Sequence, residues 1–81
     1  MTKEELNVLI NSGREIEFEY MKKMYSITYY NDKRERYISF CEFDKETTDV
    51  ADVEELCNVE RYGIKVIDML NSIGDEDISV F

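Results

Sequence analysis

Histidine is absent from this chain of 81 residues, which removes the side chain that most often transfers protons in enzymes. The sequence also has no glycine-rich phosphate loop, no Gly-x-Ser-x-Gly turn and no cysteine beside a basic partner in a recognisable motif. Nothing in the pattern selects one acid–base pair from the nineteen carboxylates. We therefore predict that the protein is not an enzyme.

Cysteine is scarce and proline is missing altogether. Cys41 and Cys57 lie sixteen residues apart with no second pair, so neither a disulfide framework nor a zinc-binding spacing is present. We expect reduced, packed thiols and neither a metal nor another cofactor. Because no repeat and no long Gly, Ser or Pro linker occurs, the sequence favours one small domain over residues 1–81.

Long apolar runs are also absent. No stretch is long enough to cross a bilayer, and the polar N-terminus has no positive segment followed by an apolar one. We expect a cytoplasmic protein without a membrane partner.

Acidic residues dominate the composition. Nineteen carboxylates against ten lysines and arginines give a formal net charge of −9. A hydrophobic fraction of 43% is nevertheless too high for a disordered acidic tail. Such a charge repels nucleic acid and steers association with basic surfaces. We therefore expect a folded acidic domain that does not bind nucleic acid directly.

The first segment has the pattern of a capped helix. Thr2 is followed three residues later by Glu5, which is typical of a capping box, and apolar residues then recur at helical spacing up to Ile10. Gly13 offers a left-handed stop. The pattern predicts a helix over roughly residues 3–12.

Three segments then alternate with a period of two, which predicts half-buried strands over roughly 15–20, 25–30 and 36–43. A two-residue turn at Lys22-Lys23 would place Tyr20, Phe18 and Ile16 opposite Tyr25, Ile27 and Tyr29. A longer loop with the same parity is the alternative, because Lys-Lys lacks the glycine or asparagine that a primed turn prefers. A four-residue turn at 32–35 would place Ile27 opposite Phe40 and Tyr29 opposite Ile38. Both hairpins would then share one apolar face.

The remaining residues predict one or two helices and a short strand. Asp52 followed by Glu55 indicates a capped second helix, which Gly63 interrupts. Ile64, Ile67, Leu70 and Ile73 form a third helical stripe that ends at Gly74. Residues 78–81 alternate weakly and would add a C-terminal edge strand. The predicted fold is α+β, with an N-terminal helix, a three-stranded antiparallel meander and helices on one face of the sheet.

The other sheet face is expected to carry tyrosine and glutamate. The predicted registers place Glu15 beside Tyr30 and Tyr37, Glu17 beside Thr28 and Ser39, and Glu19 beside Ser26 and Cys41. Tyrosine is enriched at interface hot spots, and alternate glutamates are spaced about 6.8 Å apart along a strand. An ordinary solvated sheet face is the alternative interpretation. Stacking of single-stranded RNA on the tyrosines is disfavoured, because the basic residues of the turns lie at opposite ends of the meander.

A second concentration of carboxylates is expected on the loop after the third strand and at the start of the second helix. Acidity that serves solubility alone is the alternative. The candidate partner-binding residues are Glu15, Glu17, Glu19, Tyr30, Tyr37, Glu42, Asp44, Glu46, Asp49, Asp52, Glu54 and Glu55.

Three segments carry a resemblance to known proteins: Glu-Ile-Glu-Phe-Glu-Tyr, Tyr-Ser-Ile-Thr-Tyr-Tyr-Asn-Asp and Arg-Tyr-Ile-Ser-Phe-Cys-Glu-Phe. The stretch from Glu15 to Phe43 resembles small uncharacterised proteins of Firmicutes and of their phages or mobile elements. In size, acidity and helix-then-meander order the chain also looks like the small acidic anti-CRISPR proteins, which occupy the nucleic-acid-binding surface of a nuclease. The resemblance implies a bacterial cytosol, or the host cell for a phage-encoded protein.

These observations lead to two functional hypotheses. The first is a non-enzymatic inhibitor that mimics nucleic acid and binds the basic nucleic-acid-binding surface of a host defence or DNA-handling protein. The second is a small structural or accessory domain that homodimerises, with its acidity serving solubility.

Overall fold

The computed structural model describes all residues, 1–81, and contains three α-helices, seven strands and one 3-10 turn. In chain order these are α1 (Lys3–Asn11), β1 (Ile16–Tyr20), β2 (Lys23–Asn31), β3 (Arg36–Glu42), β4 (Thr47–Val50), α2 (Val53–Asn58), β5 (Glu60–Arg61), β6 (Ile64–Lys65), α3 (Val66–Ser72), the 3-10 turn (Asp75–Asp77) and β7 (Ile78–Val80). The α+β class is therefore confirmed.

Local signals place α1 as predicted. The Thr2 hydroxyl accepts a hydrogen bond from the Glu5 backbone N–H, and the Glu5 carboxylate accepts one from the Thr2 backbone N–H. Gly13 follows the helix with φ of 75°, a conformation that glycine adopts without the steric cost of a Cβ. These contacts satisfy groups that the ends of a helix leave unpaired.

The main sheet has five strands in the order β4-β3-β2-β1-β7, and every neighbouring pair is antiparallel. The predicted meander and C-terminal edge strand are both present. The prediction missed β4, which lies where a polar loop was expected. Only Val50 of this edge strand is buried, so no apolar alternation marks it, and it is defined by its backbone pairing with β3.

The predicted register of the first hairpin is wrong by two residues. Phe18 lies opposite Tyr25 and Ile16 opposite Ile27, because the turn is Met21-Lys22 and not Lys22-Lys23. Both turn residues have positive φ, 51° and 65°, as a primed two-residue turn requires. A shift of two residues leaves each side chain on its predicted face.

The second hairpin has the predicted register, with Ile27 opposite Phe40 and Tyr29 opposite Ile38. Its turn is held by Asp32, whose carboxylate accepts hydrogen bonds from the backbone N–H groups of Arg34 and Glu35. This side-chain pattern is typical of aspartate at a turn.

The C-terminal helices differ in detail from the prediction. The Asp52 carboxylate caps α2 as expected, but Gly63 belongs to the small hairpin of β5 and β6. The predicted α3 stripe of Ile64, Ile67, Leu70 and Ile73 is corrected, because α3 begins only at Val66 and buries Val66, Met69 and Leu70. Gly74 has φ of −89° and so is not a left-handed stop.

The core is one cluster of fifteen buried hydrophobic residues. The sheet contributes Ile16, Phe18, Tyr25, Ile27, Ile38, Phe40 and Val50, and the helices contribute Leu6, Ile10, Val53, Leu56, Cys57, Val66, Met69 and Leu70. Three rings stack at its centre, with centroids 5.1 Å apart for Phe18 and Tyr25 and 5.6 Å apart for Tyr25 and Phe40. All three helices therefore cover the same face of the sheet and leave the opposite face open.

Candidate functional site

The open face is the sheet surface that points away from the helices. Successive side chains of a strand point to opposite faces of the sheet, so the residues before and after a buried core residue point to the open face. The open face consists of Glu15, Glu17, Glu19, Met24, Ser26, Thr28, Tyr30, Tyr37, Ser39, Cys41, Thr47, Asp49 and Ser79.

The three glutamates of the open face have different neighbours from those predicted. Glu17 pairs with Ser26 and Glu19 with Met24. Extending the same register by one residue places Glu15 level with Thr28. The Glu15 carbonyl oxygen accepts a hydrogen bond from the Phe81 backbone N–H. The glutamates therefore lie one pair further from the tyrosines than expected, because the first hairpin turns one residue earlier.

Tyr30 and Tyr37 form a stacked pair at one end of the open face, with ring centroids 4.9 Å apart. Tyr30 is about half exposed to solvent. Desolvation raises the pKa of Tyr37, and the nearby Asp49 carboxylate and Tyr30 raise it further. The tyrosine pair is therefore adjacent to a carboxylate of β4, which supplies the negative charge that was expected from Glu15.

The second acidic region is divided by β4. Asp44 and Glu46 lie in the turn before this strand, whereas Asp52, Glu54 and Glu55 lie beyond it at the start of α2. Four residues of strand span about 13 Å. Two of the helix residues have structural roles, since Asp52 caps α2 and the Glu55 carboxylate accepts a hydrogen bond from the Ala51 backbone N–H. Glu54 forms a salt bridge with Lys3.

Glu42 does not belong to an exposed acidic surface, which corrects its inclusion among the partner-binding residues. It is the one charged residue in the buried set and faces the helices, with the same alternation as Ile38 and Phe40. The Tyr62 hydroxyl lies within hydrogen-bonding distance of both carboxylate oxygens, at 3.1 and 2.9 Å. Lys23 Nζ lies 3.7 Å from Glu42 Oε1. Burial of a carboxylate is tolerable because these partners compensate its lost hydration.

Basic residues are absent from the open face. All ten lie in α1, in turns, in the β5–β6 hairpin or at strand positions on the helix side. Only two of the nineteen carboxylates form salt bridges, Glu54 with Lys3 and Glu42 with Lys23. Both pairs are away from the open face, so its carboxylates are not neutralised within the molecule.

A cleft of about 300 Å³ opens on the helix side, between the tips of the β1–β2 and β5–β6 hairpins. It is lined by Tyr20, Met21, Lys23, Tyr25, Arg61, Tyr62, Ile64 and Met69. Burial raises the pKa of Tyr25, and the Glu42 carboxylate and Tyr62 raise it further, while Arg61 acts in the opposite direction. The Tyr25 hydroxyl therefore stays protonated and can donate a hydrogen bond near neutral pH.

This cleft was not predicted from the sequence. One available signal was the alternation in β3, which places Glu42 on the apolar face with Phe40. The other was Gly63, which permits a tight turn after Tyr62. Neither signal indicates that Glu42 and Tyr62 meet, since twenty residues separate them in the chain.

A shallower depression lies between α1 and α2. It has a volume of about 390 Å³ and is bordered by Lys3, Glu4, Asn7, Asp52, Val53 and Glu54. Its one hydrophobic side chain is Val53, and the Lys3–Glu54 salt bridge forms part of its wall. It therefore lacks the apolar floor that encloses a small molecule.

No family model, curated protein or solved structure matches this chain. The resemblance to small acidic proteins of bacteria and phages accordingly stays a prediction. No group of three or more Cys, Asp or Glu side chains is placed to hold a metal ion. No helix has the length and apolar character needed to span a membrane.

Proposed function

We propose that this chain is a non-enzymatic interaction protein that binds a basic protein surface through its open face. One observation carries the proposal: the open face has four carboxylates, Glu15, Glu17, Glu19 and Asp49, and no basic residue. A surface whose charges all have the same sign attracts an oppositely charged partner over several ångströms and raises the association rate at low salt.

The stacked pair of Tyr30 and Tyr37 supplies the apolar contact that charges alone lack. Aromatic side chains are frequent hot spots because they bury large areas at a low entropic cost. Met24 and the exposed Phe43, whose backbone N–H donates to the Met24 carbonyl oxygen, border the opposite end of the face. The proposed contact therefore has carboxylates on both sides of the central strands β2 and β3, from β1 and from β4, and apolar anchors at the two ends of these central strands.

The more specific proposal is that the partner is a nucleic-acid-binding protein and that binding blocks its cleft. Duplex DNA carries one charge per about 1.7 Å of axis, which is denser than glutamates spaced about 6.8 Å apart on one strand. Mimicry therefore requires carboxylates from several strands. The open face meets this requirement in part, because Asp49 of β4 adds to the three glutamates at β1.

The experiment compares two variants that lose the same negative charge. The open-face variant combines Glu15→Gln, Glu17→Gln and Glu19→Gln. The control combines Glu4→Gln, Glu60→Gln and Asp68→Asn, three exposed residues outside the open face. The wild-type chain is used to capture proteins from a bacterial lysate, and these proteins are purified. Their affinity for the wild type and for both variants is then measured, and so is their binding to DNA with and without the wild-type chain.

We expect basic partners whose affinity falls between about 50 and 200 mM salt and whose DNA binding is inhibited by wild type. The open-face variant should bind roughly tenfold more weakly, while the control should stay within about twofold. Partners without a basic surface, indifference to salt, or equal loss in both variants would contradict the proposal.

Homodimerisation is the second candidate, and the unpaired outer edge of β7 favours it. This strand pairs only with β1, and an exposed strand edge can pair with another chain. Light scattering at high concentration separates the candidates, because a protein that remains monomeric cannot act through a dimer.

A further inference from the structure

The cleft on the helix side has the construction of a small-molecule site. Tyr25 and Met69, both fully buried, lie at its base, and the side chains of Tyr20 and Ile64 extend the apolar wall. Six of its eight lining residues are hydrophobic. A volume of about 300 Å³ is at the lower end of the range for ligand pockets, so the cleft fits a single ring and a short substituent.

The charges at the cleft favour an anion. Lys23 and Arg61 both line it, whereas Glu42 is the neighbouring carboxylate. Glu42 is already engaged by Tyr62 and Lys23. The Arg61 guanidinium forms no salt bridge and donates instead to the Thr48 hydroxyl and the Glu60 carbonyl oxygen. Arg61 is half-buried and has no acidic partner, although the chain has nineteen carboxylates, so its positive charge is available to a ligand.

Arg61 is held in place by the core. Its guanidinium carbon lies 5.4 Å from the centroid of the Phe40 ring. The β5–β6 hairpin that carries it is closed by a hydrogen bond from the Val66 backbone N–H to the Val59 carbonyl oxygen. A preorganised guanidinium loses little side-chain entropy when it binds a carboxylate through two parallel hydrogen bonds.

We propose that this cleft binds a small aromatic carboxylate, with the ring against Tyr20, Ile64 and Met69 and the carboxylate against Arg61. The Lys23 ammonium is paired with Glu42, so Arg61 supplies the positive charge that remains for the ligand. A cationic ligand is disfavoured, because Lys23 already occupies the face of the Tyr62 ring at 4.8 Å. The site is independent of the open face, since the cleft is on the other side of the sheet.

The probe is 3-phenylpropionate, and 3-phenylpropanamide is its neutral counterpart of equal size. Binding is measured by calorimetry and by amide chemical shifts in NMR spectra. We expect saturable binding of the acid, shifts centred on residues 20–25, 61–64 and 69, and roughly tenfold weaker binding of the amide. Failure of the acid to saturate, or equal affinity for acid and amide, would overturn the proposal without any variant.

Two variants with the same loss of charge test the role of Arg61. Arg61→Gln should weaken the acid roughly tenfold and leave the amide unchanged, and Arg61→Lys should retain part of the preference. Arg36→Gln, at an exposed position on β3 outside the cleft lining, is the control and should bind like wild type. Should Arg61→Gln unfold, Lys23→Gln is the substitute, with a smaller loss expected. An acid preference that survives Arg61→Gln, or Lys23→Gln where that variant replaces it, would reject the site. An equal loss of affinity in Arg36→Gln would also reject it, because the effect would then come from net charge.

Discussion

Met21 and Lys22 adopt left-handed backbone conformations that cost free energy in residues other than glycine and asparagine. They do so because the resulting register stacks Phe18 on Tyr25 at the centre of the core. Burial and ring stacking in the core stabilise the fold by more than a strained turn costs it. The predicted Lys22-Lys23 turn rested on local sequence and could not include this distant contact.

Replacing Lys22 with glycine should therefore stabilise the protein. Glycine adopts positive φ without steric cost, so we expect Lys22→Gly to raise the free energy of unfolding by roughly 0.5 to 1 kcal/mol. The measurement is urea denaturation followed by circular dichroism.

Lys33→Gly is the matched control, because it removes the same charge from another exposed turn residue whose φ is not positive. It should lower the free energy of unfolding by roughly 0.5 to 1 kcal/mol. At this position glycine relieves no backbone strain in the folded state, and it increases the conformational entropy of the unfolded chain. Equal effects of the two substitutions would show that charge and not backbone strain decides the outcome.

At the scale of elements, the β2–β3 hairpin was predictable because its turn contains its own signal. The Asp32 carboxylate accepts hydrogen bonds of 2.7 and 2.8 Å from two backbone N–H groups of the turn. These bonds lower the pKa of Asp32 below its ordinary value.

By contrast, β4 has no apolar alternation that would predict it. The predicted apolar stripe of α3 begins at Ile64, but the helix begins two residues later because Ile64 and Lys65 form β6.

The lowered pKa of Asp32 predicts a pH dependence of stability. The unfolded chain binds the proton more readily, so the contribution of this carboxylate is complete above its unfolded pKa of about 3.9 and is lost as the pH falls through the lower folded pKa. Relative to Asp32→Asn, wild type should be more stable near pH 6, and the difference should shrink below about pH 4. Denaturation curves at several pH values provide the measurement, and a difference that does not change with pH would refute this role for Asp32.

At the scale of the whole molecule, the charge of −9 is largely uncompensated. Only two carboxylates form salt bridges, and the remainder repel one another across a small surface. Segregation of the basic residues away from the open face leaves its four carboxylates without a compensating charge. The arrangement that favours a basic partner therefore weakens the isolated fold.

We expect sodium chloride to stabilise the protein. Raising the salt from about 0.05 to 0.5 M shortens the Debye length to a few ångströms and screens the repulsion, so the thermal midpoint should rise. The variant with Glu15→Gln, Glu17→Gln and Glu19→Gln should gain less, because it begins with less repulsion. A midpoint that falls with salt would mean that attractive pairs dominate the electrostatics.

The sequence by itself determined the features that depend on neighbours along the chain: the cap of α1, the alternation of β1 to β3, the α+β class and the excess of carboxylates. Tertiary structure alone decided the register at Met21-Lys22, the division of the acidic residues by β4, and the burial of Glu42 beneath Tyr62. The physical reason is that caps and periodicity act within a few residues. Register and clefts, in contrast, result from packing between residues far apart in the chain, where core burial outweighs local preference.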